Sequence, residues 1–256
     1  MPGRERARLL ILGGTGEAAA LAGDAVVAFG DKLEVVTSLA GRTRSPAKIA
    51  GIVRVGGFGG AGGLADYLTR EAIDLVVDAT HPFAAEMSLN ARDACEAAGV
   101  PRLLLVRPEW QRQPGDDWIE VDDVAGAAAA LGARGGRAFV TIGVRELHRF
   151  AGLEGVFCLV RLIEPPSEPL PLADCAVVTG RGPFTVESER ALLAEHRIDC
   201  VVSKASGGAA TEAKIVAARQ LGLPVIMLRR PRPPDGERVN DTAAALAWIS
   251  EHIAGG

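Results

Sequence analysis

Short apolar runs alternate with Ala-rich stretches of helical character from residue 9 to the end of the chain, and glycine or polar turns separate them. In the first half the runs predict strands at 8–12, 33–37, 52–55, 75–79 and 102–106, with helices over 17–29, 63–71 and 84–98. The strands are continuously apolar rather than alternating, the pattern of parallel strands covered by helices on both faces. Gly99 stands where a helix ends in a left-handed residue, and Pro101 stops any continuation.

The pattern lapses over 108–118, a polar stretch holding Pro114 and Gly115 with neither helical nor strand period. It resumes with strands at 118–121, 138–142, 156–163, 176–178, 200–203 and 225–228, and helices over 124–131, 185–196, 208–221 and 242–253. This alternation predicts an α/β fold: two Rossmann-like domains with largely parallel sheets and an active-site cleft, divided as residues 1–115 and 116–256. Four prolines within 164–171 exclude a regular helix or central strand there, and a second cluster at 231–234 interrupts the chain after its last clear apolar run.

With 256 residues, 48% of them hydrophobic, the chain can bury a core of this size. A net charge of -4 disfavours generic binding to nucleic acid or to an anionic membrane. The four cysteines, Cys95, Cys158, Cys175 and Cys200, form no CxxC pair and read as buried thiols. The first apolar run, 9–12, is too short for a signal segment or a membrane span, so a reducing cytoplasmic setting is expected.

The strongest local signal is the run Gly13, Gly14, Thr15, Gly16 and Glu17, where an apolar strand turns into an Ala-rich helix. Glycines let backbone approach a phosphate, and a helix N-terminus presents unpaired N–H groups to it. The run is neither a full GxGxxG nor an ATP-binding P-loop, so a tight turn serving only close packing is the other reading. No Asp or Glu ends the second strand, where an NAD site would hold the ribose. Ser38 and Arg42, with Arg44 nearby, instead suit the 2′-phosphate of NADP; a solvated surface loop is the alternative. Gly57, Phe58 and Gly59 follow the third strand, and Thr80 and His81 follow the fourth, on the edge where open α/β sheets bind ligands. His81 can donate a hydrogen bond or a proton there, or serve as a cap.

In the second half Ser203, Lys204, Ser206, Gly207 and Gly208 repeat the physics of the first loop, and Arg181 lies in a Gly-Arg-Gly-Pro turn. Arg107, Arg145 and Arg229 to Arg232 also flank expected strand ends, which predicts a polyanionic small-molecule ligand or, failing that, ordinary solvated arginines. The four histidines make no metal-binding spacing, no GxSxG elbow is present, and Tyr67, the single tyrosine, lacks a YxxxK partner. No metal is expected.

Taken in order, ILGGTGEA at 11–18, TSLAGR at 37–42, GGFGG at 56–60, DATHPFA at 78–84, RPEW at 107–110, TGRGPFT at 179–185, SKASGG at 203–208 and LGLPVIMLRRP at 221–231 resemble the precorrin-6A reductase family of cobalamin biosynthesis. The resemblance covers nearly the whole chain. It implies a cytoplasmic enzyme that uses NADPH to reduce one macrocycle double bond of precorrin-6A, giving precorrin-6B. It also implies that the cofactor lies against Gly13 to Glu17, against Ser38, Leu39, Ala40, Gly41 and Arg42, against Gly57 to Gly59, and against Thr80 and His81. The 1–115 domain would then hold NADP. The carboxylated tetrapyrrole would lie near Arg181 and the 203–208 turn of the 116–256 domain, with His81 the candidate proton donor. The parallel cobalt-precorrin-6A reductase, and a nonenzymatic dinucleotide- or polyanion-binding module, remain the alternatives.

Overall fold

The computed structural model describes residues 6–41 and 49–254. The chain divides into two compact units, one of residues 1–108 and 231–256, the other of residues 109–230.

The first unit contains β1 (Ala7–Leu12), α1 (Gly16–Phe29), β2 (Leu33–Leu39), β3 (Ile52–Val55), α2 (Gly60–Arg70), β4 (Leu75–Asp78), α3 (Ala85–Ala98) and β5 (Arg102–Leu105). The second unit follows in the chain with β6 (Trp118–Val121), α4 (Val124–Arg134), β7 (Gly136–Val140), β8 (Val156–Leu162), β9 (Cys175–Thr179), α5 (Val186–Glu195), β10 (Cys200–Lys204), α6 (Ala213–Leu221) and β11 (Val225–Leu228). The chain then returns to the first unit with β12 (Glu237–Val239) and α7 (Thr242–Ala254).

Both sheets are six-stranded, and every strand pair in them is parallel. The first runs β12-β5-β4-β1-β2-β3, the second β6-β11-β10-β7-β8-β9. Parallel strands need crossover connections, usually helical, and helices cover both faces of the first sheet. Leu9 and Ile11 of β1 pack with α1 and with Trp248 and Ile249 of α7, whereas Leu10 and Leu12 face Leu64 and Leu68 of α2 and Ala91 of α3. This two-sided burial is why the runs lack polar alternation. In the second unit Phe139, Leu159, Val201 and Met227 pack against Leu193 of α5 and Ile215 of α6.

Three expectations change. The division at 115/116 gives way to a return of the C-terminal segment: β12 pairs with β5, Glu237 opposite Leu103 and Val239 opposite Leu105, and α7 buries Ala245, Trp248 and Ile249 on the first core. The helix expected over 208–221 begins at Ala213, because Gly208, at φ 75°, is followed by a separate 3-10 turn over Ala209–Thr211. The thiols of Cys95, Cys158 and Cys200 are buried as expected, but Cys175 is partly exposed.

Truncating fully buried Ile249 to Ala should destabilise the first unit by about 2–5 kcal/mol in a urea titration, through the cavity it leaves. Burial pushes the Cys95 thiol up to about 12 and those of Cys158 and Cys200 to about 11, from an ordinary 9.0. Since only the thiolate is nucleophilic, Ellman's reagent at about pH 8 should titrate Cys175 alone in the native protein and all four thiols in denaturant.

Candidate functional site

The order of the first sheet reverses between β1 and β4: β2 and β3 lie on one side, β5 and β12 on the other. At such a point successive helices depart to opposite faces and leave a crevice at the carboxyl ends of the strands. The loops leaving β1 and β4 meet there. Thr15 caps α1, its Oγ1 accepting from the Ala18 N–H (3.1 Å) while donating to the Ala79 carbonyl (2.7 Å). The Ala79 N–H donates to the Leu12 carbonyl at 3.0 Å. One hydroxyl thus fixes the helix start and joins the two loops.

Gly13 donates its N–H to the Ser38 carbonyl at 2.9 Å, and a Cβ on it would lie 2.9 Å from Thr37 Cγ2. Gly14 adopts φ 105°, a region strained for any side chain but with open space around it. Close packing and conformation therefore require different glycines. Glu17, in the first turn of α1, is paired with Arg107 at 3.1 Å, so its charge is compensated where an anion would approach.

The structure brings the expected cofactor residues of the first unit to one edge. Gly13, Gly14 and Thr15 form the β1–α1 turn, Gly16 and Glu17 open α1, Ser38 and Leu39 end β2 with Ala40 and Gly41 next, Gly57 to Gly59 precede α2, and Thr80 and His81 follow β4. Arg42, like Arg44, lies outside the described residues. Thr80 donates both its N–H (3.1 Å) and its hydroxyl (2.7 Å) to Asp78 Oδ1. Asp78, 3% exposed, buries Oδ2 without a hydrogen-bond partner among the described residues. His81 Nδ1 accepts the Phe83 N–H at 3.2 Å, an arrangement that leaves the ring proton on Nε2.

Sequence reasoning passed over Arg54. It stands opposite Ser38 in the β2–β3 register, donates from Nη1 to Ser38 Oγ at 3.2 Å, and stacks its guanidinium 3.8 Å from the Phe58 ring centroid. A lone arginine in a short edge strand reads as solvated; only the strand pairing reveals its neighbour.

The second sheet reverses between β7 and β10, where Thr141, just after β7, donates its N–H (3.0 Å) and hydroxyl (3.1 Å) to the Val202 carbonyl within β10. Ser203 and Lys204 end β10, and Ser206 to Gly208 form the following turn. Arg181 leaves edge strand β9, yet its loop returns to this turn region, since Phe184 donates its N–H to the Ala210 carbonyl at 3.4 Å. Gly182 has to be glycine at that approach: a Cβ would stand 2.7 Å from the same carbonyl.

Several expected ligand cations are engaged internally. Lys204 pairs with Glu146 at 2.7 Å, and the exposed Arg229 pairs with Asp122 and Glu120. Arg230, 6% exposed, donates to the carbonyls of Ala205 (3.2 Å) and Ser206 (2.8 Å). Trp110 Nε1 holds the Gly208 carbonyl at 2.9 Å and Lys214 Nζ the Thr211 carbonyl at 2.8 Å. Because a trans peptide sets C=O and N–H on opposite sides, tying down the Ser206 and Gly208 carbonyls turns the next N–H groups, of Gly207 and Ala209, away from these donors. The turn can therefore present amides to an anion.

Replacing Thr15 with Ala removes both the cap and the inter-loop bond and should cost about 1–2 kcal/mol in thermal or urea unfolding, whereas Thr15→Ser should restore most of it.

The sequence matches the family described as Precorrin-6x reductase CbiJ/CobK over residues 8–250. A Rhodococcus erythropolis protein named precorrin-6A reductase is 50% identical over 94% of this chain and 97% of its own length. A Salmonella typhimurium cobalt-precorrin-6A reductase is 28% identical over 93% of this chain and 94% of its own. The solved structure titled CobK precorrin-6A reductase superposes with a TM-score of 0.91 at 45% identity, covering 96% of this chain and 97% of that one. The chain belongs to the precorrin-6x reductase family and is an enzyme of that reductase class.

Proposed function

We propose that this enzyme reduces one macrocycle double bond of precorrin-6A, using NADPH, to give precorrin-6B. The observation that carries the reading is the glycine turn at the reversal point of the first sheet, capped and joined by Thr15, beside a β2 end that has no carboxylate. The substrate half of the reading rests on the names of the more similar relatives; those named for the cobalt-containing ring are more distant.

The fit to a dinucleotide is physical. Amides at the start of α1 suit a diphosphate, the Gly13 approach leaves no room for a side chain, and Arg107 neutralises the one carboxylate in the first helical turn. When bound, the cofactor supplies a hydride from its nicotinamide ring. Ser38 and Arg42 engage the adenosine ribose and its phosphate. Gly57 to Gly59 offer backbone beside it, and Thr80 and His81 stand at the β4 end for the nicotinamide half.

His81 donates a hydrogen bond from Nε2. Delivery of a proton would need an imidazolium, whose second N–H displaces the Phe83 amide from Nδ1; solvent is therefore the favoured proton source. Acetate and propionate groups of the substrate meet Arg181 and the amides of Gly207 and Ala209, in the turn whose Ser206 and Gly208 carbonyls Arg230 and Trp110 hold back. A cytoplasmic setting belongs to the same reading and accords with four free thiols.

Anaerobic incubation with precorrin-6A and NADPH should consume the dinucleotide and give a product heavier by two hydrogens, with slower turnover of cobalt-precorrin-6A. Binding of NADPH without its consumption would reject the enzymatic reading in favour of a sensing module. His81→Asn should weaken NADPH binding and leave the pH profile of turnover in place; loss of an ionisation from that profile would instead make His81 the proton donor.

A further inference from the structure

We infer that Arg54 is a specificity-determining residue for the 2′-phosphate of the dinucleotide, an inference that rests on the NADPH reading above and adds a ligand group the sequence did not single out.

Position is the first argument. In a doubly wound sheet the diphosphate lies at the β1–α1 turn and the adenosine ribose at the end of β2. Those two places are linked here through one residue: the Ser38 carbonyl accepts from Gly13 N–H at 2.9 Å, and the Ser38 hydroxyl accepts from Arg54 Nη1 at 3.2 Å. Arg54 is the register partner of Ser38 on β3, so its side chain shares the face and strand end that the ribose would occupy.

Charge is the second. The guanidinium is held by neutral groups: the Ser38 hydroxyl, the Gly56 carbonyl at 2.6 Å from Nη1, and the Gly57 carbonyl at 2.7 Å from Nη2. Phe58 lies against one of its faces, with Tyr67 at 5.1 Å. Among the described residues no carboxylate forms an ion pair with it, in contrast to Arg107, Arg161, Arg219 and Arg229, each of which has one. A half-buried cation fixed by neutral acceptors keeps its full charge for an incoming anion. Three hydrogen bonds also leave the Nε–H and one Nη2–H, on adjacent nitrogens, for two phosphate oxygens.

Rigidity is the third. Stacking on Phe58 and two carbonyl bonds hold the guanidinium in place before any ligand arrives, so little side-chain entropy remains to be lost on binding. The same bonds tie the 56–59 loop, and loosening that loop alone would weaken NADPH and NADH alike. The ratio of the two affinities therefore separates phosphate recognition from support of the loop.

The test measures dissociation constants of NADPH, NADH, adenosine 2′,5′-bisphosphate and AMP by calorimetry for the wild-type protein and the Arg54→Gln, Arg54→Lys, Ser38→Ala and Arg42→Ala variants. Arg54→Gln should weaken NADPH and the bisphosphate by about 10- to 100-fold while NADH and AMP change by less than about threefold. Arg54→Lys, which keeps a point charge without the fork, should fall between, and Ser38→Ala should keep most of the preference. If Arg54→Gln melts early, Arg54→Lys and the fragment pair in the wild type carry the comparison. Equal losses for NADPH and NADH, or a preference that Arg42→Ala alone abolishes, would overturn the role of Arg54. Failure of the wild type to bind either dinucleotide would instead overturn the cofactor reading beneath it.

Discussion

The hydroxyl of Thr15 holds together what the rest of the first unit arranges. Parallel strands need right-handed crossovers, and starting two such series from a central strand sends the helices to opposite faces. At the ends of β1 and β4 the two following loops meet, and the Ala79 N–H donates to the Leu12 carbonyl there at 3.0 Å. Thr15 Oγ1 adds to that link by serving α1 as an acceptor and the β4 loop as a donor. The same geometry that makes the fold pack leaves an edge where backbone amides stay available, and the bond to Ala79 keeps that edge in one shape.

The second unit solves the same problem with other atoms. Thr141 bonds the Val202 carbonyl at its reversal point, but it precedes a 3-10 turn rather than a long helix, and the amides turned away from the Arg230 and Trp110 donors are those of Gly207 and Ala209. Connectivity couples the two solutions. After β5 the chain leaves to form the whole second sheet, β6 to β11, and after β11 it returns to form β12 and α7, which complete the first unit. The second sheet is thus built from six strands consecutive in the chain, whereas the first receives its sixth strand only after the second is complete. For the first unit that strand and helix bury the indole of Trp248, whose Nε1 also bonds Glu237 of β12 at 3.0 Å.

How far this was legible depends on the range of the interaction. The Gly13 to Glu17 turn could be read because strand, glycines and helix start are contiguous. β12 could not, since Glu237, Arg238 and Val239 offer one apolar residue and gain strand character only from β5 beside them. The return of the C-terminal helix was invisible because amphipathicity says that a helix needs a core, not which one. Arg54 was hidden by both limits: β3 is a short edge strand, and the hydroxyl that receives the arginine is 16 residues away in sequence.

Charge placement follows the same logic. An expectation of many available arginines took each strand-end cation as free for a ligand, whereas the folded chain commits several of them to its own carboxylates and carbonyls. Arg230 is the clearest case, since a side chain only 6% exposed donates to the Ala205 and Ser206 carbonyls and lies 3.5 Å from the Glu109 carboxylate. On the proposed reading its charge would lie behind the turn, and its effect at the ligand side would be to turn the next amide outward. On the proposed reading the two units would meet anions differently: the first with glycine amides and an arginine that has no carboxylate partner among the described residues, the second with amides oriented by cations that stay behind them. Amides set in a shaped turn recognise an anionic group by direction as well as by charge, so on the proposed reading a chain of net charge -4 can still hold the phosphate or carboxylate groups of a ligand.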